Sequence, residues 1–296
     1  DLRPRGGLGF FLAPVMKVCV DTMGGDHAPQ WVIEGAFQAA VGGTSVILVG
    51  DEKIIKKTAK KRGGLPSNVE ICHASEAIGM GEAPSIAVRR KRDSSIHVGF
   101  RLVKEKKAAA FVSAGNSGAV MAAAILILRR IPGIERPAIA TLIPTFKGRM
   151  VLLDIGANVD CRPVHLSQFA VVGTVFSRNV LHIPFPRVGI LSNGEETSKG
   201  NIQTRGAHRF LSGSFLNYTG YIEGRDIFNG DVDVVVCDGF VGNVVLKLTE
   251  GLSRAIFGFI KEGLKESFAA KIGYLFLRKT FKNLSDKFDY TEYGGA

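Results

Sequence analysis

The stretch Ala108-Ala-Ala-Phe-Val-Ser-Ala-Gly-Asn-Ser-Gly118, which continues through small and apolar residues to Leu128, decides between two fold classes. Its length and apolarity fit a membrane span, but residues 113–118 would place several polar groups at the middle of a bilayer, where lipid could not satisfy them. A buried strand, a tight loop and a helix explain the same residues. The stretch therefore predicts one strand-loop-helix unit of a soluble α/β protein.

The same pattern recurs along the 296 residues. Short runs of Val, Ile and Leu are typical of strands buried on both faces, as in a parallel sheet. Their alternation with amphipathic segments predicts a three-layer α/β/α architecture with a mostly parallel, doubly wound sheet. Strands are predicted at residues 16–20, 45–49, 69–72, 108–112, 139–143, 151–153, 187–191 and 232–237. Helices are predicted at residues 29–41, 53–62, 85–105, 117–130, 163–180, 204–211, 241–260 and 264–281, the last two forming a C-terminal helical hairpin.

Residues 16–296 are predicted to form a single domain, because no repeat, low-complexity tract or flexible linker interrupts the pattern. Residues 1–15 carry Arg3 and Arg5 before a short apolar patch, but no small-residue cleavage site follows. A predicted strand begins at once from Met16. We therefore interpret Met16 as the natural start and residues 1–15 as a non-native or disordered leader.

The net charge predicts an acidic partner. The chain has 38 Lys and Arg against 27 Asp and Glu, a surplus of +11. Nucleic acid, an anionic membrane surface, a phosphorylated substrate and an acidic carrier protein would all fit. Nucleic acid is the weakest of the four, because no helix-turn-helix, zinc finger or basic zipper is present. We therefore predict no nucleic-acid partner.

Neither a metal site nor a cofactor is predicted. The cysteines Cys19, Cys72, Cys161 and Cys237 have no metal-ligand spacing and are interpreted as buried thiols of a reducing compartment. The six histidines form no paired motif, and the acidic run of residues 226–233 is better explained as a solvated turn than as a cation cage. No GxGxxG fingerprint, Walker loop or nucleophile triad is found.

Five glycine-containing loops follow predicted strands, at the carboxyl ends where parallel α/β sheets bind ligands. The first is Asp21-Thr-Met-Gly-Gly-Asp-His-Ala-Pro29, and the second is the Ser113-Ala-Gly-Asn-Ser-Gly118 segment quoted above. Backbone N–H groups at the start of the helix after the second loop would suit an anion. The candidate residues in these two loops are Asp21, Gly24, Gly25, Asp26, His27, Ser113, Asn116, Ser117 and Gly118. Asp26 has an equally good alternative as a helix cap.

The other three loops combine charged and amide side chains with glycine. They are Asp154-Ile-Gly-Ala-Asn-Val-Asp160, Ser192-Asn-Gly-Glu-Glu-Thr-Ser-Lys-Gly-Asn201 and Asp238-Gly-Phe-Val-Gly-Asn243. Any one of them could be a solvated turn, but five such loops together predict a ligand site at one sheet edge. Their candidate residues are Asp154, Asn158, Asn193, Glu195, Lys199, Asp238 and Asn243.

Six segments, including all five loops and Ala74-Ser-Glu-Ala-Ile-Gly-Met80, resemble the bacterial phosphate acyltransferases (acyl-acyl-carrier-protein:phosphate acyltransferases) in order along the chain. The resemblance covers nearly all of residues 16–296. It implies a fold similar to the isopropylmalate dehydrogenases and phosphotransacetylases, a homodimer, and acyl transfer from acyl carrier protein to inorganic phosphate. The acyl phosphate would then pass to a membrane glycerol-3-phosphate acyltransferase in phospholipid synthesis, which implies a cytoplasmic enzyme peripherally associated with the membrane.

Two features depart from the family pattern. Thr22 stands where such proteins usually have Ala, and the chain stops at Tyr290-Thr-Glu-Tyr-Gly-Gly-Ala296, where they look as if they continue into a further strand. The C-terminal end is therefore expected to be truncated. Apolar residues at helical spacing among lysines, from Leu252 to Phe281, suit a packed hairpin or dimer interface, with a membrane-surface patch as the alternative. The resemblance adds weight to dimer and membrane contact.

The resemblance suggests a mechanism for these loops. Ser113, Asn116, Ser117 and Gly118 would hold phosphate at a helix N-terminus, and Lys199 and Asn243 would stabilise the developing oxyanion. Asp21, Asp26 or His27 would handle the proton that reaches the leaving thiolate. The alternatives are a short-chain acyl-coenzyme A:phosphate acyltransferase, an oxidoreductase of the same fold, and a non-catalytic scaffold that docks acyl carrier protein at the membrane.

Overall fold

The computed structural model describes residues 16–266 and 268–287. The chain divides into two compact units, Asp1–Arg130 and Ile131–Ala296, each of which is described here by itself. The predicted leader at residues 1–15 and the chain end at residues 290–296 lie outside the described residues.

The first unit is a four-stranded sheet, entirely parallel, with strand order β3-β2-β1-β4. Its strands are β1 (Lys17–Asp21), β2 (Ser45–Gly50), β3 (Val69–His73) and β4 (Ala110–Val112). Its helices are α1 (Gln30–Val41), α2 (Glu52–Lys60), α3 (Pro84–Arg90), α4 (Ser95–Lys104) and α5 (Ser117–Ile127). Because the chain turns to opposite sides of β1 to reach β2 and β4, the carboxyl ends of β1 and β4 form the switch point of the sheet.

Alternation along β2 explains why helices cover both faces of this sheet. Val46 and Leu48 pack with Ile33 of α1 and Ile55 of α2 on one face. The intervening Ile47 and Val49 join a second core on the opposite face, against α4. A strand that is apolar at every position must bury both faces, and this condition produces three layers.

The second unit is a five-stranded sheet with order β5-β6-β9-β7-β8. Only β5 is antiparallel to its neighbour; β6, β9, β7 and β8 run parallel. The strands are β5 (Ala140–Thr145), β6 (Gly148–Leu153), β7 (Val188–Leu191), β8 (Tyr218–Ile222) and β9 (Val234–Val236). The helices are α6 (Pro163–Val180), α7 (Ile202–Ser212), α8 (Gly239–Glu266) and α9 (Phe268–Lys287), with a short 3₁₀ helix at Gly224–Phe228.

The same alternation builds three layers in the second unit. Val151 and Leu153 of β6 face the core that contains Phe169 of α6 and Leu211 of α7. Met150 and Leu152 face the opposite core, which includes residues of the 3₁₀ helix and of α8. The predicted fold class is therefore confirmed, while the strands form two sheets rather than the single sheet edge expected for the five loops.

Two local predictions were wrong. The helix predicted at residues 85–105 is two helices, because the chain leaves helical geometry after Arg90 and restarts where the Ser94 hydroxyl caps α4 by accepting from the His97 N–H at 3.3 Å. A serine cap of this kind is a recognised start signal. The sequence also missed β8, an edge strand whose central Gly220 adopts a positive φ of 107°. Glycine inside a strand weakens the strand pattern.

The predicted C-terminal hairpin is present as α8 and α9, which pack against each other. Large apolar side chains remain exposed along both helices: Val244, Leu248, Leu252, Ile256 and Phe259 of α8, and Ile272, Leu275, Phe276 and Leu277 of α9. Among the described residues, none of the helices combines the length and the apolarity that crossing a bilayer requires.

Candidate active site

The first two loops meet at the switch point of the first unit. Asp21, at the end of β1, is fully buried, and its carboxylate accepts from the Ser113 hydroxyl at 2.7 Å and from the Met23 N–H at 3.0 Å. Ser113 Oγ in turn accepts from the Gly115 N–H at 3.0 Å. Asp21 therefore orients Ser113 and holds the two loops together.

Glycine at position 24 is required by this close approach. A Cβ atom on Gly24 would lie 2.8 Å from the Cα of Gly115 and would collide with the Asp21 carboxylate. Gly25 has a φ of 105°, which L-residues with a side chain rarely adopt, and its backbone lies against Ala114. Both glycines thus have a structural reason that does not depend on a ligand.

Asn116 is the N-cap of α5, and its side chain is only 8% exposed. Its Oδ1 accepts from the Ala119 N–H at 3.1 Å, while its Nδ2 donates to the backbone carbonyls of residues 79–82. This amide is therefore occupied by the protein itself. Ser117 is exposed, and the backbone N–H groups of Ser117 and Gly118 make no hydrogen bond within the described residues, which leaves two donors at the N-terminus of α5.

Asp26 and His27 are both exposed. The structure contradicts the capping alternative for Asp26, because the N-cap of α1 is Pro29 and the helix has no side-chain capping hydrogen bond. The His27 ring lies edge-on to Trp31 with 6.4 Å between ring centroids. Both side chains are thus open to solvent and able to exchange protons.

The second unit contains a pocket of about 420 Å³ at the carboxyl ends of β7 and β9. Its wall combines apolar groups with hydroxyl and amide groups. The lining residues are Leu191, Ser192, Asn193, Gly200, Asn201, Thr204, Cys237, Asp238 and Val241. The predicted site residues Asn193 and Asp238 are thus brought together here.

The start of α7 forms one side of this pocket. Asn201 caps the helix by accepting from the Thr204 N–H at 2.9 Å. The N–H groups of Ile202 and Gln203 make no hydrogen bond among the described residues, so they remain available to an anion. The sequence pattern predicted that this helix begins at Thr204, and it therefore did not identify Asn201 and Thr204 as lining residues. Asn201, three residues before Thr204, is a helix-capping signal that could have identified the true start.

The other side of the pocket is the start of α8. Asp238 caps this helix by accepting from the Val241 N–H at 2.9 Å, so one carboxylate oxygen is engaged. Asn243 is exposed, and its Cβ and Cγ lie within 3.9 Å of where a Cβ on Gly156 would stand. Within the described residues the Asn243 amide makes no hydrogen bond, and it lies next to the 154–160 loop.

Asp154 and Asn158 act as the internal support of that loop. The Asp154 carboxylate is fully buried and accepts from the N–H groups of Ile139 and Ala157 and from both the backbone and the side chain of Asn158, at 2.6–3.1 Å. The Asn158 carbonyl accepts from the Gly239 N–H at 2.7 Å, which fixes the first residue of α8. The Asp154 carboxylate and the Asn158 Nδ2 group are therefore engaged by the fold.

Lys199 and Glu195 lie exposed in the loop between β7 and α7. The Lys199 stem packs over Gly194, where an added Cβ would lie 2.7 Å from Lys199 Cγ. Its ammonium group makes no ion pair within the described residues. Neither residue lines the pocket, but both belong to the loop whose ends, Asn193 and Gly200, do.

The cysteines are not poised as nucleophiles. Burial raises the pKa of the Cys161 thiol to about 11, and the nearby carboxylates of Asp154 and Asp238 add to this rise. Burial and the same two carboxylates raise the pKa of Cys237 well above its usual value. Burial likewise raises the pKa of Cys19 to about 12 and the pKa of Cys72 in the same direction. All four described thiols are therefore protonated at neutral pH.

Comparison with known proteins relates this arrangement to acyl transfer. Residues 16–296 match the sequence profile of the family described as fatty acid synthesis protein. The chain is 54% identical over 282 residues to the phosphate acyltransferase of Geobacter sulfurreducens, covering 95% of this chain and 82% of that protein. It is 53% identical over 280 residues to the phosphate acyltransferase of Syntrophotalea carbinolica, covering 94% and 81%.

Solved structures agree on the fold. A phosphotransacetylase from Streptococcus pyogenes is similar with a TM-score of 0.63 and 21% identity, over 82% of this chain and 83% of that one. A phosphotransacetylase from Staphylococcus aureus has a TM-score of 0.56 and 19% identity, over 80% and 82%. At this level of identity the similarity concerns the fold alone.

Proposed function

We infer the reaction from one premise, which is that this chain belongs to the phosphate acyltransferases of the fatty acid synthesis protein family. It is an acyltransferase, and phosphate is its acceptor. We propose that the donor is a fatty acyl thioester of acyl carrier protein and that the product is an acyl phosphate for glycerophospholipid synthesis. A phosphate oxygen attacks the thioester carbonyl carbon, the carbon–sulfur bond breaks, and the leaving thiolate takes up a proton.

The observation that carries this proposal is the pocket between β7, β9 and the starts of α7 and α8. The free N–H groups of Ile202 and Gln203 beside Asn201 offer fixed donors to charge that develops on a substrate oxygen. Donors fixed by a helix need no reorganisation during the reaction. Lys199 belongs to the loop whose ends line this pocket, and Asn243 lies near the start of α8, but neither residue lines the pocket itself. We propose that they add a cation and an amide to the oxyanion once the thioester is bound.

Phosphate binds at the N-terminus of α5 in this proposal. The N–H groups of Ser117 and Gly118 are the donors, the Ser117 hydroxyl is exposed, and Ser113 is oriented by Asp21. Asn116 shapes the site as a cap rather than by touching phosphate. Asp26 or His27, both exposed, supplies the proton to the thiolate, since the Asp21 carboxylate is already engaged.

Direct transfer without an acyl-enzyme is the simplest route. Phosphate is itself a nucleophile, and the raised pKa values of the four cysteines remove the thiol groups as competitors. The Ser113 hydroxyl is oriented by the Asp21 carboxylate, and within the described residues no histidine is hydrogen-bonded to it.

The test is acyl hydroxamate formation. Protein, labelled phosphate and either palmitoyl-acyl carrier protein, palmitoyl-coenzyme A or acetyl-coenzyme A are mixed, and acyl phosphate is trapped with hydroxylamine. We expect phosphate-dependent hydroxamate with the carrier-protein substrate in preference to both coenzyme A thioesters. Preference for acetyl-coenzyme A would establish the short-chain alternative. Binding of acyl carrier protein without any hydroxamate would leave the scaffold alternative.

The proposed partners are supported by the net charge of the chain and by its exposed apolar side chains. The surplus of +11 complements an acidic carrier protein. The exposed apolar side chains of α8 and α9 suit a homodimer interface together with peripheral contact at the cytoplasmic membrane, which would deliver acyl phosphate close to a membrane glycerol-3-phosphate acyltransferase.

A further inference from the structure

We propose that Lys91 and Glu82 are positioning residues for phosphate: they fix the loop of residues 79–82, and this loop holds the N-terminus of α5 in its binding geometry. The inference rests on the proposed phosphate site at Ser117 and Gly118. The loop overlaps residues 74–80 after β3, which are one of the six segments that resemble the phosphate acyltransferases. The proposed reaction gives this segment no role of its own.

The ion pair gathers both ends of the loop. Lys91 Nζ, just after α3, donates to Glu82 Oε1 at 2.7 Å and to the Ala77 carbonyl at 2.8 Å. The same Glu82 oxygen accepts from the Gly79 N–H at 2.6 Å. The hydrogen bond from Lys91 and, to a lesser extent, the one from Gly79 hold the pKa of Glu82 below its usual range. Glu82 therefore closes the loop on itself while Lys91 ties it to the end of α3.

The loop in turn is bonded to the cap of α5. Asn116 Nδ2 donates to the carbonyls of Gly79, Met80 and Glu82 at 3.4, 3.1 and 3.0 Å. The other end of the Asn116 amide accepts from the Ala119 N–H at 3.1 Å. One buried side chain thus joins three carbonyls of the loop to the first turn of α5, where the proposed donors lie.

A second contact joins the same parts. Pro84, the first residue of α3, lies two residues after Glu82, and its Cγ lies 2.7 Å from where a Cβ on Gly118 would stand. Only glycine at position 118 allows α5 to approach this closely. The N–H group of Gly118 is therefore placed by packing against the end of the loop as well as by Asn116.

The loop needs this support because residues 77–83 have no regular secondary structure. Their carbonyls can accept from Asn116 only while the loop keeps its conformation. The hydrogen bonds from Lys91 to Ala77 and Glu82 connect the loop to the end of α3. Loss of Lys91 would loosen the three bonds to Asn116 and misplace the donors for phosphate. Small displacements of a binding group are costly to a reaction that depends on alignment.

The test replaces Lys91 by Met and measures steady-state kinetics with each substrate varied in turn. We expect KM for phosphate to rise about three- to tenfold, the range that corresponds to the net contribution of one ordinary hydrogen bond. KM for the acyl donor should stay within twofold of wild type. Lys91→Arg, which keeps a donor cation, should recover most of the loss. Lys56→Met is the matched control, because Lys56 forms an exposed ion pair with Glu52 in the same unit.

Substitutions at Lys91 and Glu82 should leave the protein folded, because their side chains are 32% and 37% exposed. Glu82→Gln is the second variant: it keeps an acceptor for Gly79 but removes the charge that attracts Lys91, and it should raise KM for phosphate in the same direction. A KM that rises equally for phosphate and for the acyl donor would overturn the positioning role. An unchanged KM for phosphate in either Lys91→Met or Glu82→Gln would overturn it as well.

A third variant separates this inference from the proposed phosphate site. Ser117→Pro removes one of the two donor N–H groups at the first position of α5, where proline is tolerated, and Asn116 already has the extended backbone (φ −62°, ψ 104°) that precedes proline. An unchanged KM for phosphate in Ser117→Pro would contradict the site itself. A raised KM for phosphate in Ser117→Pro with no effect in Lys91→Met would contradict only the positioning role of Lys91.

Discussion

Lys199 is the single side chain on which the proposed oxyanion stabilisation depends most. It is exposed in the loop between β7 and α7, and its ammonium group makes no ion pair within the part of the chain described. Lys199→Ala should lower kcat about 10²–10³-fold, as removal of an oxyanion donor does in other acyl transfers. The thermal midpoint should be unchanged, because only the stem over Gly194 is lost. Turnover measured by hydroxamate formation checks this.

The control for Lys199 is Lys147→Ala, which removes an exposed lysine of the same unit from its ion pair with Asp231. Exposed pairs of this kind contribute about 0–1 kcal/mol. Its turnover should therefore match that of wild type. Near-normal turnover in Lys199→Ala as well would remove Lys199 from the mechanism.

The buried cysteines lead to a second prediction at the residue scale. Burial raises the pKa of Cys161 to about 11 and raises the pKa of Cys237 well above its usual value, so both thiols are protonated at neutral pH, and the Cys161 thiolate appears only as pH rises toward 11. Cys161→Ser and Cys237→Ser should each retain activity within a few-fold. Iodoacetamide at pH 7 should leave the wild-type enzyme active. A covalent acyl-cysteine detected by mass spectrometry during turnover would contradict direct transfer.

At the scale of elements, the start of α8 depends on a glycine. A Cβ atom on Gly242 would collide with the backbone carbonyl of Asp154, which Asp154's own hydrogen bonds hold in place. Gly242→Ala should therefore destabilise the protein by about 3 kcal/mol, as overpacking of a closely packed site does. It should also lower activity, because Asp238, which caps α8, and Val241 of α8 both line the pocket.

Gly251 of the same helix gives a matched comparison. Nothing lies within 4 Å of a Cβ placed there, and the residue is exposed. Gly251→Ala should stabilise the protein by about 1 kcal/mol through helix propensity. Chemical denaturation of both variants measures the difference. Equal and small effects at the two positions would mean that α8 can shift away from Asp154 at little cost.

At the scale of the whole molecule, the exposed apolar face of α8 and α9 should govern assembly and membrane contact. Leu252 of α8 is 55% exposed and Phe276 of α9 is 84% exposed. Leu252→Glu should convert the proposed dimer to a monomer in sedimentation, because a carboxylate would be buried without a partner. Phe276→Glu should abolish flotation with vesicles containing anionic lipid, since apolar side chains near Arg278 and Lys279 suit such an interface.

Phe146→Glu is the control for both variants, because Phe146 is as exposed as Phe276 but lies in the turn between β5 and β6. It should change neither sedimentation nor flotation. A monomeric wild-type protein would contradict the dimer. Flotation that survives Phe276→Glu would place lipid contact elsewhere.

The sequence by itself determined the elements and the family. Runs such as Val232-Asp-Val-Val-Val-Cys237 predict strands buried on both faces, and eight predicted strands overlap observed ones. Glycine loops after strands predicted where chemistry would gather, because strand direction in a parallel sheet sends every carboxyl end to one edge. Ser113 and Asp21, 92 residues apart, were both predicted as site residues and do meet.

Only the tertiary structure decided which polar groups are free. The sequence treats Asn116, Asp154 and Asn158 like Asn243, as polar residues beside glycine. In the folded chain the first three are buried, and the Asn116 amide, the Asp154 carboxylate and the Asn158 Nδ2 group are hydrogen-bonded within the protein, whereas Asn243 is exposed. Hydrogen-bond partners far apart along the chain are chosen by packing, and local pattern carries no information about them. For the same reason the strands divide into two sheets, since which strands pair depends on the whole set of contacts.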